Sequence, residues 1–192
     1  MEDLKIRVFR TIEKEIELQD FEKWLYVQND LSERMDEGLI LELFSFNYNQ
    51  RGASFGFDRK FINYFDKKEF TNWKILANLK TLQNGCEEPE RILCDFYDLS
   101  NGDYPYLSSL GYNQFELEDC EYYGWSRKEL LKAIQKEADE LLSEIEEWSA
   151  SAQEVDLKDF EPKTKKLDML RFSSPESSAT EPINKKWWEI WK

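Results

Sequence analysis

Among the side chains that could do acid–base or metal chemistry, carboxylates dominate in this sequence, because the 192-residue chain contains no histidine. Its 40 Asp and Glu residues stand against 26 Lys and Arg residues, which gives a formal net charge of −14. Histidine is the only side chain whose unperturbed pKa lies between pH 5 and 8, and it is a frequent general base and metal ligand. Its absence removes the usual equipment of hydrolases, nucleases and zinc enzymes. The negative charge also persists across the physiological pH range, because unperturbed carboxylates titrate below about pH 5.

The stretch from Asp95 to Asp103 is superficially similar to a calcium-binding loop. Such a loop needs oxygen ligands at positions 1, 3 and 5, glycine at position 6 and an acidic residue at position 12. Counted from Asp98, these last three positions hold Gly102, Asp103 and Ser109. The pattern therefore fails, and the sequence predicts that the Asp and Asn side chains here make turns. We predict no metal ligands and no cofactor.

The sequence also shows no motif for nucleophilic catalysis. The three cysteines, Cys86, Cys94 and Cys120, are odd in number and lack CxxC spacing, which is typical of free thiols in a reducing cytosol. No histidine is present to activate a thiol. P-loop, GxGxxG, GxSxG and HExxH patterns are absent. A glycosidase-like pair of carboxylates stays open as an alternative, but the prediction is a non-enzymatic protein without catalytic residues.

An acidic segment rich in aromatic residues favours a binding function. Residues 116–147 contain eleven acids and four bases, so half of the net charge lies in this part of the chain. Aromatic anchors in a charged surround are typical of binding hot spots, and the field speeds encounter with a cationic partner. We predict that a loop before a long helix binds a basic protein partner through Glu116, Glu118, Asp119, Glu121, Tyr122, Tyr123 and Trp125.

The C-terminal residues form a second candidate docking segment. Trp187, Trp188 and Trp191 lie within the last six residues, and each tryptophan can bury 150–250 Å² on docking. This tail either covers a groove on its own domain or anchors a partner or membrane interface. Residues 149–184 have a linker-like composition. We therefore predict a helical domain over 1–148, a linker-like tail over 149–184 and a docking segment over 185–192.

Hydrophobic periodicity predicts the elements that position these residues. A long helix over 126–148 opens with Ser126 and Glu129 in capping-box spacing, and another follows Asp66 and ends near Asn84 and Gly85. Further helices are predicted around 21–25, 29–35, 55–65 and 92–99. Residues 6–9 and 39–46 fit either a helix or a short strand. The expected fold is a mainly α, single-domain helical bundle.

The remaining expectations concern location and partners. No stretch has the pattern of a signal peptide or the 18 apolar residues of a membrane span, so a cytoplasmic protein is predicted. The negative charge repels nucleic acid and anionic membranes. The sequence leaves the oligomeric state open.

Short blocks of packing residues resemble small bacterial immunity-type proteins of polymorphic and contact-dependent toxin systems. These blocks are residues 21–26, 41–48, 96–99 and 110–112 with Tyr104 and Leu107, together with the ending 187–192. The long segment after Trp148 departs from that pattern. The resemblance implies a cytoplasmic inhibitor that binds a cognate toxin, and an acidic protein could occupy the basic groove with which a nuclease toxin holds phosphates. The alternative is an acidic adaptor that docks through its tryptophan-rich tail.

Overall fold

The computed structural model describes residues 4–28, 37–120, 122, 124, 126–151 and 155–163. The chain divides into the units Met1–Pro162 and Lys163–Lys192, and the fold is that of the first unit. Within the described ranges every regular element is helical, which confirms the mainly α prediction. The α-helices there are α1 (Leu4–Ile12), α2 (Leu18–Val27), α3 (Glu37–Ser45), α4 (Ala53–Phe61), α5 (Lys67–Gln83), α6 (Glu90–Ser100), α7 (Ser108–Glu118) and α8 (Arg127–Ser151). Short 3-10 turns occupy Ile62–Tyr64, Pro105–Leu107 and Leu157–Asp159.

Both segments that could have been strands are helical. Residues 6–9 lie inside α1, and residues 39–45 lie inside α3. In α3 the side chains of Leu39 and Leu43 are buried, whereas Leu41 is 70% exposed. A strand would place these three residues on one face, but a helix separates Leu41 from the other two. The strand alternative is therefore wrong at both places, and the helix predicted over 29–35 lies outside the described residues.

Helix α5 begins and ends where the sequence predicts. The Asp66 carboxylate accepts hydrogen bonds from the backbone N–H groups of Lys68 (2.6 Å) and Glu69 (3.3 Å), which satisfies donors that the first turn leaves unpaired. The helix ends at Gln83, and Gly85 follows with a φ of +86°, a conformation that favours glycine.

The buried side chains form two clusters, one from the elements before α5 and one from α5 onward. The N-terminal cluster consists of Leu4, Val8, Leu18, Phe21, Leu25, Leu39, Leu43, Tyr48, Ala53, Phe57 and Phe61 from α1–α4 and the α3–α4 connection. The C-terminal cluster is built from α5–α8 and the two later 3-10 turns. Phe9, which is fully buried, connects α1 to α5, because its ring lies 5.0 Å from the ring of Phe70 and 5.3 Å from that of Trp73 on α5.

A four-residue ion network crosses the same junction. The Glu13 carboxylate forms ion pairs with Lys74 (3.0 Å) and Arg91 (3.1 Å). Both cations also form ion pairs with Asp95, at 3.0 and 3.4 Å. The Glu13 side chain is only 9% exposed. The network therefore ties the end of α1 to α5 and α6 across a half-buried seam.

Helix α8 packs with the stripe that its periodicity predicts and continues three residues beyond Trp148. Its buried residues are Leu130, Ile134, Ala138, Leu142 and Ile145. Helix α6 ends at Ser100, so only residues 101–103 of the Asp95–Asp103 stretch form a turn.

Part of the segment with linker-like composition is packed against the core. Leu157 and Phe160 are buried in the C-terminal cluster, and the Phe160 ring lies 5.6 Å from that of Trp148 and 5.0 Å from that of Tyr106. Ion pairs of Lys68 with Asp156 and of Lys158 with Asp103 flank Leu157 on either side. The packed structure thus extends past residue 148.

Candidate functional site

The structure describes four of the seven residues predicted to bind a partner. Glu116 and Glu118 lie in the last turn of α7, Asp119 follows that helix directly, and Tyr122 is 85% exposed. The prediction of a loop is wrong for residues 116–118, because buried Leu110 and Leu117, two turns apart, hold α7 against the core up to its last turn. The other residues that we predicted for this surface and for the tail lie outside the described residues: Glu121, Tyr123, Trp125, Trp187, Trp188 and Trp191.

Helix α7 presents an exposed aromatic face next to these acids. Tyr112, Phe115 and Asp119 are spaced i, i+3 and i+7, so they lie on one side of the helix. Tyr112 is 51% exposed and Phe115 is 43% exposed. Large rings that remain in solvent on a helix with an otherwise buried apolar side are candidates for contact with another molecule.

Tyr97 on α6 completes this aromatic group. Its ring centroid lies 5.5 Å from that of Tyr112 and 5.3 Å from that of Phe115, with interplanar angles of 80° and 87°. The rings of Tyr112 and Phe115 are 6.2 Å apart at 44°. The two edge-to-face contacts of Tyr97 favour a defined orientation of its ring against those of Tyr112 and Phe115. We call Tyr97, Tyr112, Phe115, Glu118 and Asp119 the α6–α7 surface.

A glycine in α7 allows the two helices to approach closely enough for these ring contacts. A Cβ atom placed on Gly111 would lie 2.6 Å from both the backbone N and the Cα of Tyr97. No larger residue fits this crossing without a shift of the helices. Gly111 is therefore a positioning residue for the α6–α7 surface.

The part of the chain that carries the surface has only acidic charges. The sequence has no Lys or Arg between Arg91 and Arg127, and the acids in this interval are Asp95, Asp98, Asp103, Glu116, Glu118, Asp119 and Glu121. Lysines from other elements pair with Asp95 and Asp103. Asp98, Glu118 and Asp119 are exposed and form no ion pair with any residue that the structure describes. The carboxylates beside the rings are thus available to a cation.

Both ends of the connection between α7 and α8 are anchored. Cys120 is 7% exposed and belongs to the C-terminal cluster. At the start of α8, Arg127 donates hydrogen bonds to the backbone carbonyl of Glu87 (3.1 Å) and to Oε1 of Glu90 (2.7 Å). Burial acts to raise the pKa of Glu90, but the hydrogen bond from Arg127, a backbone hydrogen bond and the charge of Arg127 together outweigh it, so the pKa is lowered. These contacts fix the framework from which Glu118, Asp119 and Tyr122 project.

Two other surface features lie outside the α6–α7 surface. A cavity of about 380 Å³ beside α1 and α4 has a mixed lining that includes Lys14, Glu17 and Gln50. A second exposed apolar area lies on α2 and α3, where the rings of Tyr26 and Phe44 are 5.5 Å apart. Across the described ranges, no group of three Cys, Asp or Glu residues is arranged to hold a metal ion.

Sequence reasoning missed Tyr97, Tyr112 and Phe115 as site residues. Tyr97 and Tyr112 fall within the blocks 96–99 and 110–112, which were interpreted as packing residues. A helical projection of 108–118 would have placed Tyr112 and Phe115 opposite the buried Leu110 and Leu117. The contact of these rings with Tyr97 is tertiary and carries no signal in the local pattern.

Among the helices that the structure describes, none combines the length and the apolar composition needed to cross a membrane. Comparison of the chain with family models, with curated proteins and with solved structures gave no match.

Proposed function

We propose that this chain is a non-enzymatic, cytoplasmic immunity-type protein that binds and neutralises a basic, nuclease-like toxin domain. The observation that carries the proposal is the α6–α7 surface, in which three aromatic rings in mutual contact stand beside the exposed acids Glu118 and Asp119, which form no ion pair with any described residue. The resemblance of residues 96–99 and 110–112 to immunity-type proteins supports it, because both blocks lie at this surface.

The two kinds of side chain have different roles in this binding. Tyr112 and Phe115 supply contact area and bind with little loss of conformational entropy, so truncating either should cost about 2 kcal/mol or more of binding free energy if it is a hot spot. Glu118 and Asp119 stand at the rim, where charges mainly change the association rate. The aromatic rings therefore determine how long the complex lasts, and the carboxylates determine how quickly it forms.

Salt limits the range over which the carboxylates act. At physiological salt, fields are screened beyond about 8 Å, so the carboxylates near the surface dominate the final approach. A toxin that binds nucleic acid must present Lys and Arg to phosphates. An acidic surface with aromatic anchors is complementary to such a groove and would exclude its substrate.

A protection assay tests the proposal. The chain is co-expressed with the toxin encoded by the neighbouring gene, as wild type, as Glu118→Lys with Asp119→Lys, and as the matched control Asp159→Lys with Glu161→Lys. The control reverses two exposed acids on a different element. We expect the wild type and the control to protect the cells and the α6–α7 variant to lose protection. Full protection by the α6–α7 variant would overturn the assignment of the surface, and failure of the wild type to protect would overturn the function.

A further inference from the structure

Resting on the binding function proposed above, we infer that the α6–α7 surface recognises arginine side chains of its partner in preference to lysine. The relevant geometry is the combination of the partly exposed rings of Tyr112 and Phe115 with carboxylates that follow Phe115 by about one helical turn. Asp119 follows Phe115 by four residues, and its backbone N–H donates a hydrogen bond to the Phe115 carbonyl (3.1 Å). This bond fixes the backbone of Asp119 at the C-terminal end of α7, directly after the residues that carry the rings.

The rings offer stacking surfaces that a guanidinium can use. Tyr112 and Phe115 are both close to perpendicular to Tyr97, so the group presents ring planes in more than one direction. A planar guanidinium stacks on an aromatic face and is weakly hydrated, whereas an ammonium is a compact and strongly hydrated charge. Stacking therefore favours arginine, and the molecule already shows such a contact, because the guanidinium of Arg7 lies 4.6 Å from the ring centroid of Trp24.

The carboxylates add a second source of discrimination. Glu118 and Asp119 are adjacent, exposed and without an ion-pair partner among the residues that the structure describes. A guanidinium can donate two parallel hydrogen bonds to one carboxylate while its plane remains stacked on a ring. An ammonium can satisfy one of these interactions well but not both, since it lacks the planar fork.

The expected discrimination is moderate. An exposed cation–π contact and a bidentate hydrogen bond together correspond to an affinity ratio of about fivefold to tenfold between arginine and lysine. Simple charge attraction predicts a ratio near one, because both side chains carry the same charge.

The test uses the full chain and two peptides of equal length and charge, one alternating glycine with arginine and the other glycine with lysine. Affinities are measured by titration, and the aromatic NMR signals of Tyr97, Tyr112 and Phe115 report the site. We expect the arginine peptide to bind about fivefold or more tightly and to shift these three signals. Equal affinities, or shifts confined to Tyr26 and Phe44 on α2 and α3, would overturn the inference.

Variants separate stacking from charge. Tyr112→Leu with Phe115→Leu keeps apolar area but removes the rings, so the arginine preference should fall to about twofold or less. Phe55→Leu, at a residue that is 71% exposed on α4, is the matched control and should retain the preference. An unchanged preference in the double variant would contradict the inference.

Failure of this inference can be distinguished from failure of the proposed function. If the protection assay depends on Glu118 and Asp119 but the two peptides bind equally, the partner is recognised by charge alone and the arginine preference is wrong. If the peptides are discriminated at Tyr97, Tyr112 and Phe115 but the chain protects against no toxin, the arginine preference stands and the proposed function falls.

Discussion

Gly111 of α7 packs directly against the backbone of Tyr97 on α6, with no space for a side chain between them. This crossing places the Tyr97 ring beside Tyr112 and Phe115, so one small residue determines whether the aromatic group of the α6–α7 surface can form. The backbone contact also links the stability of the C-terminal helices to the geometry of the surface.

Replacing Gly111 with alanine should therefore destabilise the protein. The new Cβ would lie 2.6 Å from the Tyr97 backbone, and overpacking of this kind costs about 1–3 kcal/mol in the free energy of unfolding. Urea unfolding followed by circular dichroism measures the loss. We also expect weaker partner binding, because Tyr97 must move relative to Tyr112 and Phe115.

Gly56 provides a control at which the same substitution should raise the stability instead of lowering it. It lies inside α4, and a Cβ there would meet its nearest neighbour, Nε2 of Gln50, at an ordinary distance of 3.7 Å. Gly56→Ala should raise the free energy of unfolding by about 0.5–1 kcal/mol through helix propensity alone. A Gly111→Ala variant as stable as the wild type would show that α6 and α7 do not cross as closely as described.

Tyr106 should make the protein less stable at alkaline pH. Burial raises the pKa of this phenol well above its ordinary value of 10.0, and its hydroxyl forms no hydrogen bond to any described residue. The folded state therefore keeps the proton while the unfolded state releases it above pH 10, so stability that is present below pH 10 is lost as the pH rises. The loss from this group should reach about 1 kcal/mol by about pH 11.

The variant Tyr106→Phe isolates this effect. It retains the ring contact with Phe160 and removes the ionisable group, so its unfolding free energy should match or exceed that of the wild type at pH 7. Urea titrations at about pH 9 and about pH 11 should show a smaller alkaline decline for the variant. Parallel declines in the two proteins would show that the Tyr106 phenol is not buried as described.

The ion network at the junction should contribute measurably to stability. Glu13→Gln would leave Lys74 and Arg91 sharing only Asp95 at a half-buried position, with an expected cost of about 1–2 kcal/mol. The matched control is Asp20→Asn, which breaks an exposed pair with Lys23 and should leave the unfolding midpoint unchanged. Equal effects of the two substitutions would mean that the network does not tie α1 to α5 and α6.

The segment after α8 should behave as part of the core rather than as a linker. Phe160 is 4% exposed and contacts Trp148 and Tyr106, so Phe160→Ala should lower the free energy of unfolding by about 3–5 kcal/mol. Phe55→Ala removes the same side chain at a position that is 71% exposed and should change the stability by less than about 0.5 kcal/mol. Thermal unfolding of both variants provides the comparison, and similar melting temperatures would contradict the packing of Phe160.

The sequence predicts those parts of the fold that depend on residues close together along the chain. The cap at Asp66, the stop at Gly85 and the buried stripe of α8 are local patterns with a direct physical cause, and the structure confirms them. The segment 39–46 stayed ambiguous because its apolar residues fit two periods. Only tertiary packing, which buries Leu39 and Leu43 but not Leu41, decides between them.

The α6–α7 surface was only partly predictable for the same reason. Local composition identifies the acids at 116–119, but the helical continuation of α7 depends on contacts of Leu110 and Leu117 with the distant core. The role of Tyr97 requires knowledge of the Gly111 crossing. Leu157 and Phe160 are likewise too isolated in a polar stretch to indicate packing by periodicity.

The central claim is that an acidic and aromatic surface captures a basic protein, and the salt dependence of association tests it most directly. The association and dissociation rates of the chain with the toxin domain are measured by stopped flow at about 20 mM and about 150 mM salt. We predict that the association rate falls about tenfold or more over this range while the dissociation rate changes less than about twofold. An association rate that is indifferent to salt would contradict the claim.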